Sequence, residues 1–287
     1  MFRNLSLKEL ENLQGLGVAN LVQFFNGYSP FPLGIVFHLT LRCNLRCKMC
    51  PQVGVRDKYG STELSLIELK AVIADLDSSF IFKPFIHLTG GEPLLRSNFM
   101  EFVMYIKSKN FKCSFTTNGV LLEKHAEQRV VLGADRVHIS LDGPQYIHDK
   151  VRGVPGAYKR AIAGIRAISE FKKRLNKSKP LVTINCVITE ANYKDLTKMI
   201  DIAKETGTIS LSYQHLMFSD CGTCGFHHID VDYLLDEIPK LESSAIRLGL
   251  PMTFYPRMKA QQVREYYLGT SDELEGKCIF PWFVVRI

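Results

Sequence analysis

Two features of the sequence predict an α/β fold of parallel strands joined by helical crossovers. Six β-type runs alternate with six helical runs, the pattern that sets each helix between two parallel strands. Hydrophobic residues make up 46% and charged residues 23% of the 287, which is enough to close a full core and excludes a disordered or low-complexity chain. At about 150 residues per domain, the length suits two ordinary domains or one barrel-like α/β unit.

Residues 1–30 read as a helical lead-in. Ser6 with Glu9 fits a capping box, and Leu7, Leu10, Leu13 and Leu16 follow at helical spacing. Tyr28-Ser-Pro-Phe-Pro-Leu-Gly34 breaks that periodicity. A first strand is expected over Ile35–Thr40, then a helix near 65–77, a strand at Phe85–Leu88 and a helix near 98–109. Lys112–Thr117 and Arg136–Leu141 are the next strands, with a helix near 122–132 between them. The alternation continues with helix 157–175, strand Leu181–Thr189, helix 193–206, strand Ile209–Phe218 and helix 231–248. Lys159, Arg160, Arg166, Lys172, Lys173, Arg174, Lys177 and Lys179 cluster on one of these helices and just beyond it. They read as a solvated face whose C-terminal end suits cations.

The chain stops at Phe280-Pro-Trp-Phe-Val-Val-Arg-Ile287, an apolar strand-like run that would be a liability as an exposed edge. A further C-terminal part is therefore expected beyond it. Lys and Arg number 36 against 29 Asp and Glu, a net +7 that favours anionic partners slightly without indicating a nucleic-acid binder. No run of about 18 apolar residues predicts a membrane span, and the N-terminus lacks a signal-peptide layout, so a cytoplasmic protein is expected.

Eight cysteines in such a chain do not suggest a disulfide framework. Cys43, Cys47 and Cys50 form C-x3-C-x2-C directly after the first strand. Thiolates are soft ligands suited to zinc or iron–sulfur. A structural zinc site wants four protein ligands, and His38, inside the strand, is poorly placed to be the fourth. A 4Fe–4S cluster on three cysteines leaves one iron open. On spacing alone, iron–sulfur, zinc and free thiols all stay open.

Cys43-x3-Cys47-x2-Cys50, with Met49 before the last cysteine, resembles the signature of the radical S-adenosylmethionine (radical SAM) superfamily. Thr89-Gly90-Gly91-Glu92-Pro93 after the second strand resembles its Gly-Gly-Glu motif. His138-Ile-Ser140-Leu-Asp142-Gly143-Pro144 and His148-Asp149-Lys-Val-Arg152-Gly153 are similar to the SPASM-containing, anaerobic sulfatase maturase-like branch. The likeness spans about 35 to 287.

The resemblance implies a partial parallel (β/α)6 TIM-like barrel over 31–250, with the truncated start of a SPASM-like extension at 251–287. It implies a 4Fe–4S cluster on Cys43, Cys47 and Cys50, with S-adenosylmethionine on its open iron. Glu92, with Gly90 and Gly91, is then expected at the SAM amino group. Ser140 and Arg152 are expected at its ribose or carboxylate, and Met49 near the adenine. Val187 is a second apolar wall for adenine, and Asn118 falls beside these motifs at a strand end. A reductant such as a flavodoxin or ferredoxin is implied. A peptide or protein side chain is the first expected substrate, with a small metabolite or RNA nucleotide as alternatives; nucleic acid is otherwise disfavoured as a partner.

From a different class, a non-catalytic zinc or thiol module would leave Gly90–Glu92, Ser140 and Arg152 without a shared purpose. A purely electron-carrying cluster would want a fourth nearby cysteine. Cys221-Gly-Thr-Cys224 with His227 and His228 reads as a free-thiol loop, and Cys278 resembles the entry to the SPASM extension. Cys113 and Cys186 read as core. Asn185 and Gln214, polar within apolar strands, must be hydrogen-bonded or face a cavity. No Walker loop, H-E-x-x-H or G-x-S-x-G is present, and Gly15-x-Gly17-x-x-Asn20 lacks a third glycine.

Overall fold

The computed structural model describes residues 32–54, 63–80, 83–127, 133–216, 228–268 and 284–286. Its strands are β1 Gly34–His38, β2 Phe85–Thr89, β3 Cys113–Thr117, β4 Arg136–Ser140, β5 Leu181–Ile188, β6 Ser210–His215, β7 Met252–Tyr255 and β8 Val284–Arg286. They form one parallel sheet in the order β7-β6-β5-β4-β3-β2-β1-β8. The helices are α1 Leu66–Ser79, α2 Phe99–Ser108, α3 Leu122–Glu127, α4 Gln145–Arg152, α5 Ala157–Arg174, α6 Lys198–Thr206, α7 Val231–Arg247 and α8 Ala260–Leu268. Because β1 to β7 lie side by side in chain order, right-handed crossovers lay the helices on one face of the sheet. The sheet curls away from them into a TIM-like partial barrel.

Alternation along the strands sorts the two faces. Ile86, Leu88, Phe115, Val137, Ile139, Ile184, Cys186, Leu211 and Tyr213 point outward and share one core with helix residues such as Phe99, Phe102, Ile165, Met199 and Leu234. The concave face carries His87, Thr116, His138, Ser140, Asn185 and Ser212 instead. Barrel interiors are ordinarily filled by Val, Ile and Leu. A polar lining of this kind needs hydrogen bonds or a cavity.

Helix ends follow local chemistry. Ser65 and Glu68 close a reciprocal capping box on α1, and Asp230 caps α7 through the Tyr233 N–H. At the base of the barrel, Asp135 accepts from Lys107 and Lys179, each at 2.5 Å, and from the Cys113 N–H at 2.9 Å.

The six expected strands are present, and β7 and β8 extend the sheet at its two ends. β8 falls within the apolar run that closes the chain. The helix expected over 193–206 begins only at Lys198. Upstream, the Asn192 side chain accepts from the Thr189 N–H at 2.7 Å and donates to the Asp142 and Val187 carbonyls, which commits that stretch to a turn. Helix α4 was not read from the sequence. Of the helix expected over 122–132, Leu122–Glu127 is described. The lead-in at 1–30 lies outside the described residues.

Phe102 is fully buried and packs edge-on to Phe37, with centroids 5.6 Å apart. Phe102→Ala should cost about 3–5 kcal/mol. Urea denaturation measures the loss, and a change below about 1 kcal/mol would place this contact outside the core.

Candidate functional site

The cysteine loop leaves β1 at the C-terminal rim of the barrel, where parallel α/β folds bind ligands. Its backbone is gripped on two sides. Gly91 donates to the Thr40 carbonyl at 2.6 Å and Glu92 to the Arg42 carbonyl at 2.8 Å. Further along, Arg46 donates to the Arg152 carbonyl at 3.1 Å and Lys48 to the Val151 carbonyl at 3.0 Å. The loop is thus laced to the turn after β2 and to the last carbonyls of α4.

This lacing explains the glycines. A Cβ on Gly90 would sit 2.4 Å from the Thr40 oxygen, and one on Gly91 would sit 2.2 Å from the Arg42 oxygen. Gly90 also takes φ 135°, and only glycine combines that angle with such an approach. At the other grip, Gly153 ends α4 at φ 70°, and a Cβ there would meet the Arg46 oxygen at 2.6 Å.

Glu92 is wholly buried. Its carboxylate accepts from the Leu94 N–H at 3.1 Å, the Thr117 hydroxyl at 2.8 Å and the Asn118 N–H at 2.8 Å. Burial pushes its pKa up to about 7, against the pull of those bonds. The sequence suggests that this carboxylate grips an ammonium. The structure shows it enclosed and committed to three protein donors that tie the β2 turn to the end of β3.

The three thiols share one locality: Cys47 belongs to a small apolar cluster, and Cys43 and Cys50 pack against it. Burial raises the Cys43 and Cys47 thiols. Two side chains from other elements point N–H groups at them. Asn118 Nδ2 lies 3.8 Å from Cys43 Sγ and donates to Asn44 Oδ1 at 2.8 Å. Arg152 Nη1 lies 3.6 Å from Cys47 Sγ, and its charge opposes the effect of burial there.

Arg152 is itself clamped. Asp142, fully buried, accepts from its Nε at 2.6 Å and its Nη2 at 3.0 Å, and also from the Val187 N–H at 3.1 Å. The fork expected to bind a ligand carboxylate is therefore already filled by Asp142, leaving the Nη1 edge turned toward Cys47. Asp142, just past the end of β4, is the centre of this network. His148 accepts the Asp142 N–H at Nδ1 at 3.2 Å.

Met49 is buried in a small apolar cluster with Leu45, Cys47, Ile147, Val151 and Leu216. Cys43, Cys50, Val120 and Val187 pack against its margin. Ser140 closes β4, in register with Asn185. Gly90, Gly91, Glu92, Asn118, Arg152, Met49 and Val187 thus gather around the three cysteines, while Ser140 lies on the concave face. Sequence reasoning missed Glu63, which accepts from the Thr40 hydroxyl and from Arg42 Nε at 2.9 Å and so braces the loop from outside. It also missed Arg96, which donates to the Leu39 and Leu64 carbonyls, each at 2.8 Å. Cys113 and Cys186 are buried core residues as expected. Cys221, Cys224, His227 and Cys278 lie outside the described residues.

A family model for the radical SAM superfamily matches residues 37–209. The chain belongs to this superfamily. It is 30% identical over 206 residues to the Fe-coproporphyrin III synthase of Methanosarcina barkeri, covering 71% of this chain and 48% of that one. It is 30% identical over 207 residues to a probable GTP 3′,8-cyclase of Methanococcus maripaludis, covering 70% and 65%. The chain thus spans about half the length of the first of these relatives. Among solved structures, Streptococcus suis SuiB bound to S-adenosylmethionine superposes with a TM-score of 0.72 at 16% identity, covering 99% of this chain and 65% of that one. That likeness is one of fold. Radical SAM enzymes use a 4Fe–4S cluster and S-adenosylmethionine. A soft, all-thiol set of three on one loop, with N–H donors aimed at two of its sulfurs, fits such a cluster with an open corner.

Cys47→Ala should lose the iron–sulfur centre, because two thiolates cannot hold it; iron and sulfide analysis after reconstitution checks this. Glu92→Gln should destabilise the fold by about 1–3 kcal/mol, since an amide NH2 cannot accept the bonds the carboxylate accepts. Chemical denaturation with an unchanged midpoint would refute that packing.

Proposed function

We infer that this radical SAM chain acts on a small polar molecule held against the concave face of the barrel. The carrying observation is the arrangement itself: three neighbouring thiols on a braced loop at the rim of a polar barrel interior. The relatives at 30% identity, named for a coproporphyrin and for GTP, support a small-molecule substrate. A peptide side chain is the second reading, supported by the fold-level likeness to SuiB.

When bound, the cluster and S-adenosylmethionine supply a 5′-deoxyadenosyl radical that takes a hydrogen atom from substrate. Cys43, Cys47 and Cys50 would hold three of the four irons. Asn118 and Arg152 steady two of the sulfurs, and hydrogen bonds of this kind orient ligands and tune a metal centre. Glu92 acts as a positioning residue that locks the Gly90–Gly91 turn. Met49 and Val187 offer an apolar wall for the adenine. Ser140, and the Nη1 edge of Arg152 that Asp142 leaves free, serve the polar end of S-adenosylmethionine. The apolar cluster around Met49 excludes water from the rim.

Residues 31–250 form the catalytic core in this reading, with 1–30 as a lead-in and 251–287 as the start of a C-terminal extension. A flavodoxin- or ferredoxin-type donor in the cytoplasm would deliver the electron.

Anaerobic reconstitution with iron and sulfide, followed by dithionite and S-adenosylmethionine, should yield 5′-deoxyadenosine by mass spectrometry. A Cys43/Cys47/Cys50 triple-alanine variant should yield none. A wild-type sample with a full, reducible cluster and no product would overturn the reading.

A further inference from the structure

Arg136 opens β4 and lies on the same concave face as His138 and Ser140. Its Nη1 donates to Thr183 Oγ1 at 2.9 Å and lies 3.4 Å from Ser210 Oγ. Thr183 stands in register with both His138 and Ser210. The guanidinium therefore climbs from the base of β4 to the level of the His138 imidazole, whose pKa it helps to depress.

Among the described residues no carboxylate pairs with Arg136, and its buried Nε–H has no hydrogen-bond partner. The neighbouring Asp135 is already committed to Lys107, Lys179 and the Cys113 N–H. An inward guanidinium whose partners among the described residues are hydroxyls is costly to maintain for the fold alone.

The surroundings suit an anion. His87 Nδ1 bonds Ser114 Oγ at 2.7 Å and its Nε2 bonds Thr116 Oγ1 at 3.1 Å, while the His138 ring bonds Asn185. Burial lowers His87 to about 4 and His138 to about 3, so both are neutral at pH 7 and adapt as donors or acceptors. Both rings keep some accessible surface, so packing does not wholly close the concave face at their level. The planar fork of arginine matches carboxylate and phosphate oxygens two at a time.

We propose that Arg136 anchors an anionic group of the substrate, a carboxylate or a phosphate, inside the barrel. This rests on the reading of the concave face as the substrate chamber.

The test is thermal melting of the reconstituted full chain, wild type against Arg136→Met and Arg136→Lys. Each is titrated with sodium malonate and, separately, with sodium phosphate at constant ionic strength. Wild type should show a saturable rise in Tm with at least one anion, and whichever acts identifies the group. Arg136→Met should move the titration midpoint about tenfold or more, and Arg136→Lys should keep part of the response. Without anion, Arg136→Met should melt no lower than wild type, because it removes a cation the fold does not need. A lower Tm for that variant without anion would make Arg136 a brace for Thr183 and Ser210 and overturn the proposal. So would an equal response in both proteins, or no saturable response in wild type. Wild-type cleavage of S-adenosylmethionine, scored in parallel, separates the two readings. Cysteine-dependent product without an Arg136-dependent anion response discards the anchor alone. Absence of product discards the radical SAM assignment of the site, whatever Arg136 does.

Discussion

The site depends on the lacing of the cysteine loop to its neighbours. Four backbone hydrogen bonds fix its path, two to the turn after β2 and two to the end of α4. Each imposes a local demand. The β2 turn must come so close that Gly90 and Gly91 carry no Cβ, and α4 must end in a left-handed residue at Gly153. Glu92 is buried beneath the first grip, where it joins that turn to β3. Residues far apart in sequence are constrained together because they serve one segment of backbone.

Charge is arranged in two regimes within the barrel. Around the loop, opposite charges are paired, with Asp142 and Arg152 in two-pronged contact and both withdrawn from solvent. A pair of this kind holds geometry more than it adds stability. On the concave face the imidazoles are instead neutral, because burial removes their charge. Their hydroxyl and amide partners satisfy them without adding counter-ions. The barrel thereby presents a paired cation beside the thiols and, below them, a polar wall of neutral imidazoles and hydroxyls into which Arg136 brings a positive charge.

Most of the fold was legible in the sequence because the strands carry outward apolar residues at period two, and turns or helices separate them. The missing helix α4 is short and has a polar sequence, Gln145–Arg152, that gives little apolar periodicity. The shortened helix at Lys198 traces to Asn192, whose side-chain bonds reach Asp142, fifty residues away, and no local pattern reports that. The three cysteines and the Gly-Gly-Glu turn were legible as motifs. Their mechanical roles were not, because the glycines answer to Thr40 and Arg42, and Glu92 answers to Thr117 and Asn118. Those contacts exist only once β1, β2 and β3 lie side by side. The role of Asp142 was not legible either, because its partner Arg152 joins it only once α4 has folded.

A loop held by backbone bonds to two separate elements is ordered by the protein and does not wait for metal. The entropy of arranging the three thiols is met when the barrel folds, not when iron arrives. Losing the inorganic core to oxygen would then leave the cradle standing.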